Sequence, residues 1–413
     1  EQIELANAEL IALRDAVWAI RHDRLRTARE VDALAGRDAG RAAVAGYLAV
    51  QQALSAIDRL EVRGRDSAGL HLYVWDHGLS PDDPAVRSLL AQRLGDPLFQ
   101  NGSVRLAGPC LSFVYKAAAE IGELGDNTAA LRDALRHDEL LQLALSSAEV
   151  DGIVLGHTRW ASIGIISEPN AHPQCSDEVG RDGAPLVTAV LNGDVDNHAD
   201  LVASDGLAIP AEITTDAKVI PALVSRGLSA ELAPREAFRE AVVRLEGSVA
   251  IGAALSAAPD RLLLAIRGSG QALYVGVADE AFIVASEPYG LVEETATYLR
   301  LDGETPADPD NPVASRGQIV ELVAGRAGSV DGIGRWSYDG AQLPVTGRDL
   351  TEAQITTRDI DRGSFPHFLL KEITDAPVSF RKTLRGKLLE RDGVLSVELG
   401  ELTLPTSVRE RIA

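Results

Sequence analysis

Between residues 156 and 216 short polar clusters alternate with apolar runs. They are Gly156-His157-Thr158-Arg159-Trp160-Ala161-Ser162, Asn170-Ala171-His172-Pro173, Leu191-Asn192-Gly193 with Asn197-His198, and Thr214-Thr215-Asp216. Such spacing is what adjacent strands produce when they deliver side chains to one rim. Arg159 offers a forked guanidinium able to hold a carboxylate by two parallel hydrogen bonds. Asp216 could pair with an ammonium group, so the two together suit an α-amino acid, which bears both charges. Asn192-Gly193 sets a side-chain amide beside a backbone N–H, two donors that could hold an oxyanion. His172, restrained by Pro173, is a further donor or acceptor.

Each residue also has a bland explanation. Asn192-Gly193 could be a tight hairpin turn, Arg159 a surface ion pair of little consequence, His172 a satisfied loop residue and Trp160 core. Asp194, Asp196 and Asp200 imitate a calcium loop but lack the turn Gly and the closing Glu. The eight histidines never fall at ligand spacing with Cys or acid, so no metal and no cofactor is expected. The case for a site rests on co-occurrence.

The elements that must position these residues are visible as periodicity. Residues 3–35 read as a helix with Leu10, Leu13, Val17 and Ile20 on one face. Gly36 and Gly40 interrupt it, and a second helix follows with Tyr47, Val50, Leu54 and Ile57 as its stripe. Leu70 to Trp75 alternates like a strand. Residues 79–150, charged and rich in Ala and Leu, read as a helical insertion. Short strands dominate from Ile153 to Leu301, with a helical interval from Asp216 to Leu245 and strand candidates starting at Val249, Leu262, Leu273 and Phe282. A Pro- and Asp-rich loop is expected over 302–312, a strand from Gln318, a helix over 364–388, and a hairpin with the start of another helix at the end.

Composition narrows the function. A net charge of −21 repels nucleic acid and anionic lipid, and no apolar run is long enough to span a membrane. Two cysteines, Cys110 and Cys175, suggest a reducing, cytoplasmic setting and packed thiols, not a disulfide framework. The chain holds no Met.

The run Leu60-Glu-Val-Arg-Gly-Arg-Asp-Ser-Ala-Gly69 resembles the LEYRGYDSAG segment of the class II glutamine amidotransferases. The clusters at 156–161, 170–173, 191–198 and 215–216 follow in that family's order, with Arg267-Gly-Ser269, Ser286-Glu-Pro288 and Phe365 to Ile373 as later landmarks. Residues 41–388 carry the resemblance, which is greatest to the glutaminase half of the fructose-6-phosphate aminotransferases.

The resemblance implies an α+β fold, the N-terminal-nucleophile hydrolase αββα sandwich of two antiparallel sheets flanked by helices. It implies glutamine hydrolysis by an N-terminal Cys, with ammonia passed to a sugar-isomerase domain in cis or in trans for amination of a sugar phosphate, and a homodimer. By position, Arg159 would grip the glutamine carboxylate and Asp216 its ammonium. Asn192 and Gly193 would form the oxyanion hole, Trp160, Ser162 and His172 would line the pocket, and Arg63 with Gly64 would flank the nucleophile. That Cys is expected upstream of Glu1. Residues 1–40 would then be an extension or insertion and 389–413 a linker towards the isomerase half. Ile163 stands where the family usually has His, and Lys218 where it often has Glu. Two alternatives stay open, a silent glutaminase-like module that regulates a separate isomerase, and amidotransfer to another acceptor.

Overall fold

The structure is a computed structural model describing residues 2–36, 39–91, 93–118, 123–176, 185–306, 315–385, 387–397 and 405–412. It divides into two compact units, residues 1–358 and 359–413.

The first unit begins with α1 (Gln2–Trp18), a π-helical turn (Ala19–Arg24), α2 (Leu25–Ala35) and α3 (Arg41–Leu60). The expected stripe of α3 is buried, and Val31 and Leu34 of α2 pack with it. Next come β1 (Ser67–Trp75), α4 (Pro84–Ala91), β2 (Val104–Ala107), β3 (Cys110–Ala117), α5 (Asp126–Arg136), α6 (Glu139–Leu145) and β4 (Asp151–Arg159). The strands form an antiparallel sheet in the order β2-β3-β1-β4. The reading of 79–150 as a helical insertion is therefore corrected, because β3 is an inner strand of this sheet. Its inward face carries Ser112 and Lys116, which hid the apolar alternation that marks a strand.

The second sheet is built from β5 (Gln174–Cys175), β6 (Val187–Gly193), β7 (Val249–Leu255), β8 (Arg261–Arg267), β12 (Gln318–Val323) and β13 (Ile333–Ser337). Its order is β13-β12-β8-β7-β6-β5. Helices α7 (His198–Asp205), α8 (Val219–Ser229) and α9 (Pro234–Val243) follow β6. A third sheet, β10-β9-β11-β14, uses β9 (Leu273–Val277), β10 (Phe282–Ala285), β11 (Thr297–Leu301) and β14 (Leu350–Glu352). The expected loop over 302–312 falls largely outside the described residues.

Strand alternation sorts side chains into layers. Leu70, Leu72 and Val74 of β1 face Leu54 and Leu141 on the helical side. Tyr73 and Trp75 face the other way and meet Cys175, Leu186 and Ala254 of the second sheet. On the far side of that sheet, Leu191, Ile251 and Leu263 pack under Ile220, Val224 and Phe238 of α8 and α9. The result is helix, sheet, sheet, helix, and β1, covered on both faces, buries every residue.

The first forty residues are tied into this unit. Glu293 is buried and accepts from Thr27 Oγ1 at 2.8 Å, from the Arg26 guanidinium at 2.9 Å and from Arg59. Arg24 donates to the Glu293 carbonyl at 2.8 Å and pairs with Glu294 at 2.9 Å.

The short helix α10 (Thr357–Ile360) spans the junction of the units. The second unit has α11 (Phe368–Leu384), the hairpin β15 (Leu388–Arg391) and β16 (Val394–Val397), and α12 (Thr406–Ile412). Asp392 and Gly393 both adopt positive φ, 53° and 74°, which suits a two-residue hairpin turn. The expected boundary at 388 thus falls inside this unit, at the start of its hairpin.

Candidate functional site

The polar clusters lie at the ends of β4 and β6, in the loop leading to β5, and at the 3₁₀ turn Asp216–Lys218 that begins α8. Asn170 binds two of these segments together. Its Oδ1 accepts from the Thr214 and Thr215 N–H groups at 2.7 and 2.9 Å, and its Nδ2 donates to the Glu212 carbonyl at 2.9 Å. His172 adds a second brace, only 4% exposed. Its Nδ1 lies 3.1 Å from the Leu191 carbonyl, which can only accept, so Nδ1 carries the proton and Nε2 accepts from Thr215 Oγ1 at 3.0 Å. Burial keeps this imidazole neutral, well below the ordinary histidine range. With both nitrogens occupied, His172 holds the end of β6 against Thr215 and presents no free polar atom to a pocket.

Arg159 ends β4 and is 5% exposed. Burial lowers its pKa, and Asp216 and Asp66 are the charges that oppose the fall. The Asp216 charge thus acts on Arg159, but no ion pair joins the two side chains among the described residues. The guanidinium also donates to the carbonyls of Ile163 and Ile165, so the segment after Trp160 is wrapped around it. Burial raises the pKa of Asp216, as does Asp194, while the Val195 N–H, donating to Asp216 Oδ2 at 2.7 Å, holds it down.

Asn192 and Gly193 do not form a hairpin turn. They pair with Ala250 and Val249 as the last residues of β6. The Asn192 side chain is exposed and makes no hydrogen bond among the described residues. Gly193 has φ of +115°, and a Cβ there would meet the Ser248 carbonyl oxygen at 2.0 Å, so only glycine fits. Ser162 Oγ donates to Asp194 Oδ1 at 2.6 Å, linking the β4 loop to the segment after β6. Trp160 is 76% exposed, which overturns its reading as core.

Gly64 is placed by close approach, since a Cβ would lie 2.5 Å from the Trp160 nitrogen. Thr158 Oγ1 donates to its carbonyl. Arg63 forms an ion pair with Glu287. Asp66, given no role from the sequence, takes the Ala161 N–H on Oδ2 at 2.9 Å while its own N–H donates to the Arg159 carbonyl at 3.0 Å. Its signal was its place in the Arg65-Asp66-Ser67 run.

Behind the rim the space between the sheets holds polar groups beside its apolar cluster. His71 Nε2 lies 2.7 Å from Ser112 Oγ, and Tyr73 OH lies 2.9 Å from Thr188 Oγ1. Lys218 donates to the Cys175 carbonyl at 2.7 Å. Lys116, 2% exposed, sits 5.2 Å from the Phe99 ring centre with no hydrogen-bond partner for its Nζ among the described residues. Both cysteines are buried free thiols, and burial pushes Cys110 up to about 12. A cavity of about 300 Å³ lined by Arg93, Tyr115 and Asp138 lies on the helical side of the first sheet, away from this rim. Among the described residues no cluster of three or more His, Cys, Asp or Glu could hold a metal, and no helix is long and apolar enough to cross a membrane.

Sequence comparison supplies the relationship. Glutamine–fructose-6-phosphate aminotransferase (isomerizing) of Bacillus cereus is 27% identical over 374 residues, 89% of this chain and 47% of its own length. The chain is a homologue of these aminotransferases. The enzyme of the same name from Oceanobacillus iheyensis is 32% identical over 233 residues, 56% of this chain and 34% of its own. The chain therefore spans less than half the length of these curated relatives. Among solved structures, the glutamine phosphoribosylpyrophosphate amidotransferase from B. subtilis matches at TM-score 0.42 and 15% identity, covering 70% of this chain and 46% of its own. No protein-family model matches the chain.

Proposed function

We propose that this chain is the glutamine-hydrolysing part of an amidotransferase that supplies ammonia for amination of a sugar phosphate, of the fructose 6-phosphate to glucosamine 6-phosphate type. The observation that carries the reading is that hydrogen bonds tie the segments holding Arg159, Asn192 and Asp216 to one another, Ser162 Oγ donating to Asp194 Oδ1 at 2.6 Å and the Val195 N–H to Asp216 Oδ2 at 2.7 Å, with the Asn192 amide exposed and unengaged among the described residues. Free glutamine would lay its carboxylate towards Arg159 and its ammonium towards Asp216. Its side-chain carbonyl would turn to Asn192 and the Gly193 N–H, donors suited to the negative charge that develops on that oxygen. Trp160 and Ser162 would border the mouth, with Arg63 and Gly64 beside the nucleophile. His172, Asn170 and Asp66 would act by positioning.

The nucleophile in this reading is a Cys outside residues 1–413. Neither buried cysteine fits the part, since attack requires an accessible thiolate. The sugar-isomerase partner, in cis or in trans, belongs to the proposal equally, as do a homodimer and a cytoplasmic setting.

The test is ammonia release from glutamine by a protein that carries a leading Cys ahead of this sequence, with a glutamine-like electrophile to label that thiol. Hydrolysis and labelling should both occur. Asp216→Asn should raise KM for glutamine by about 100-fold, the cost of leaving one charged group of the ligand unpaired. A folded, Cys-bearing protein that neither hydrolyses glutamine nor takes the label refutes the reading and favours a silent regulatory module.

A further inference from the structure

Residues 6, 10, 13, 17, 20, 24, 27, 31 and 34 keep an unbroken alternation of four and three, and all but Arg24 and Thr27 are apolar. In one continuous α-helix they would form a single stripe. The later part behaves so, because Thr27, Val31 and Leu34 are buried in α2, where Val31 and Leu34 pack with α3. The earlier part does not. Leu10 is 66% exposed, Leu13 62%, Val17 48% and Ile20 59%.

The turn between them explains the difference. Ala19–Arg24 is π-helical, and it is pinned to the rest of the unit by Thr357 Oγ1 donating to the buried Asp23 at 2.5 Å and by the Arg24–Glu294 pair. One extra residue in a helical turn swings everything beyond it by about 100°. The stripe of α1 is thereby turned away from the surface that covers the stripe of α2.

We propose that α1 is a self-association helix, and that its stripe is covered by α1 of a second copy in a parallel, in-register two-stranded coil. In heptad terms Leu10 and Val17 occupy a, and Ala6 and Leu13 occupy d, with the exposed Ile20 following in the π-helical turn. Val at a with Leu at d favours two strands in parallel pairs. The flanking charges select the direction. Glu9 falls at g and Arg14 at e, so parallel helices set Glu9 against Arg14 of the partner subunit, twice over by the two-fold axis. Antiparallel helices would instead set g against g and e against e, bringing Glu9 and Arg14 each towards its own kind. Asp15, which Arg14 contacts at 3.0 Å, keeps Arg358 at 2.8 Å when Arg14 turns to the partner.

Light scattering on the 413-residue chain tests this. A coil of about two heptads is marginal alone, so a dimer that dissociates on dilution from about 200 to about 2 μM is expected. Leu10→Glu with Leu13→Glu should give a monomer with unchanged thermal stability. Glu9→Arg should weaken the dimer by at least about tenfold, and Glu9→Arg with Arg14→Glu should restore it. Leu13→Cys should form an interchain disulfide on mild oxidation, because parallel strands stack d on d and both native thiols are buried. A wild-type chain monomeric at about 200 μM, a dimer that survives the double Glu variant, or failure of Leu13→Cys to cross-link would each overturn the proposal. So would a loss of thermal stability in the double Glu variant, since that would mean the stripe is covered within one chain.

Discussion

Replacing Lys116 by Met should stabilise the protein, and the gain should shrink as pH rises. The ammonium sits between the sheets on β3, opposite Gly69, with no hydrogen-bond acceptor among the described residues. Burial, with Lys218 adding to it, lowers its pKa from 10.5 to about 7. At about 1.4 kcal/mol per pH unit, that gap sets a ceiling of about 5 kcal/mol on the cost of keeping the charge inside. Below pH 7 the folded chain carries the full cost. Between about 7 and 10.5 the folded amine is neutral while the unfolded one still binds a proton, so wild-type stability rises with pH. Met fills a similar volume without a charge. Urea unfolding at pH 6, 7.5 and 9 should show the variant more stable at pH 6, with its advantage falling by about 2 kcal/mol between 7.5 and 9. A variant less stable than wild type at pH 6, or an advantage that ignores pH, would refute the reasoning.

Other expectations are separable. Gly193→Ala should cost more than about 3 kcal/mol by chemical denaturation, because the new Cβ meets the Ser248 carbonyl at a positive φ. Asp138→Asn should cost about 3 kcal/mol, since it leaves the half-buried Arg93, paired at 2.6 Å, without its anion and also disturbs Tyr115. Leu54→Ala, at the fully buried centre of α3, should cost about 2–5 kcal/mol. In a glutamine-hydrolysing form, KM for glutamine should rise on acidification at a higher pH than an ordinary Asp would cause, because Asp216 takes up its proton early. Asp216→Asn should lack that inflection.

Much of the fold was legible because its strands are short and apolar between turn residues, as at Val249, Leu262, Leu273 and Phe282. The exception is instructive. β3 was hidden because its face towards the second sheet carries Ser112, which meets His71, and Lys116, which lies by the Phe99 ring, in place of aliphatic residues. Periodicity also reported which residues of α1 share a face, but not whether anything covers it. At the rim, residue types and order suggested Arg159, Asp216, Asn192 and Gly193 as one group. What could not be read were the braces. Asn170 and Asp66 act through hydrogen bonds to backbone groups 44 and 95 positions away, and such links leave no local pattern. His172 illustrates the same gap, since its type invites a ligand-facing role while its surroundings occupy both nitrogens.

The link from Glu293 to Thr27, Arg26 and Arg59 bears on how this protein can be cut. The opening helices look dispensable, an add-on ahead of the motifs that begin at Leu60. Removing them would take away two of the three side chains that satisfy a carboxylate sealed from water, leaving Arg59 alone to neutralise it. Engineering that trims the front of the chain must therefore stop short of Arg26, or replace Glu293 by a neutral residue in the same step.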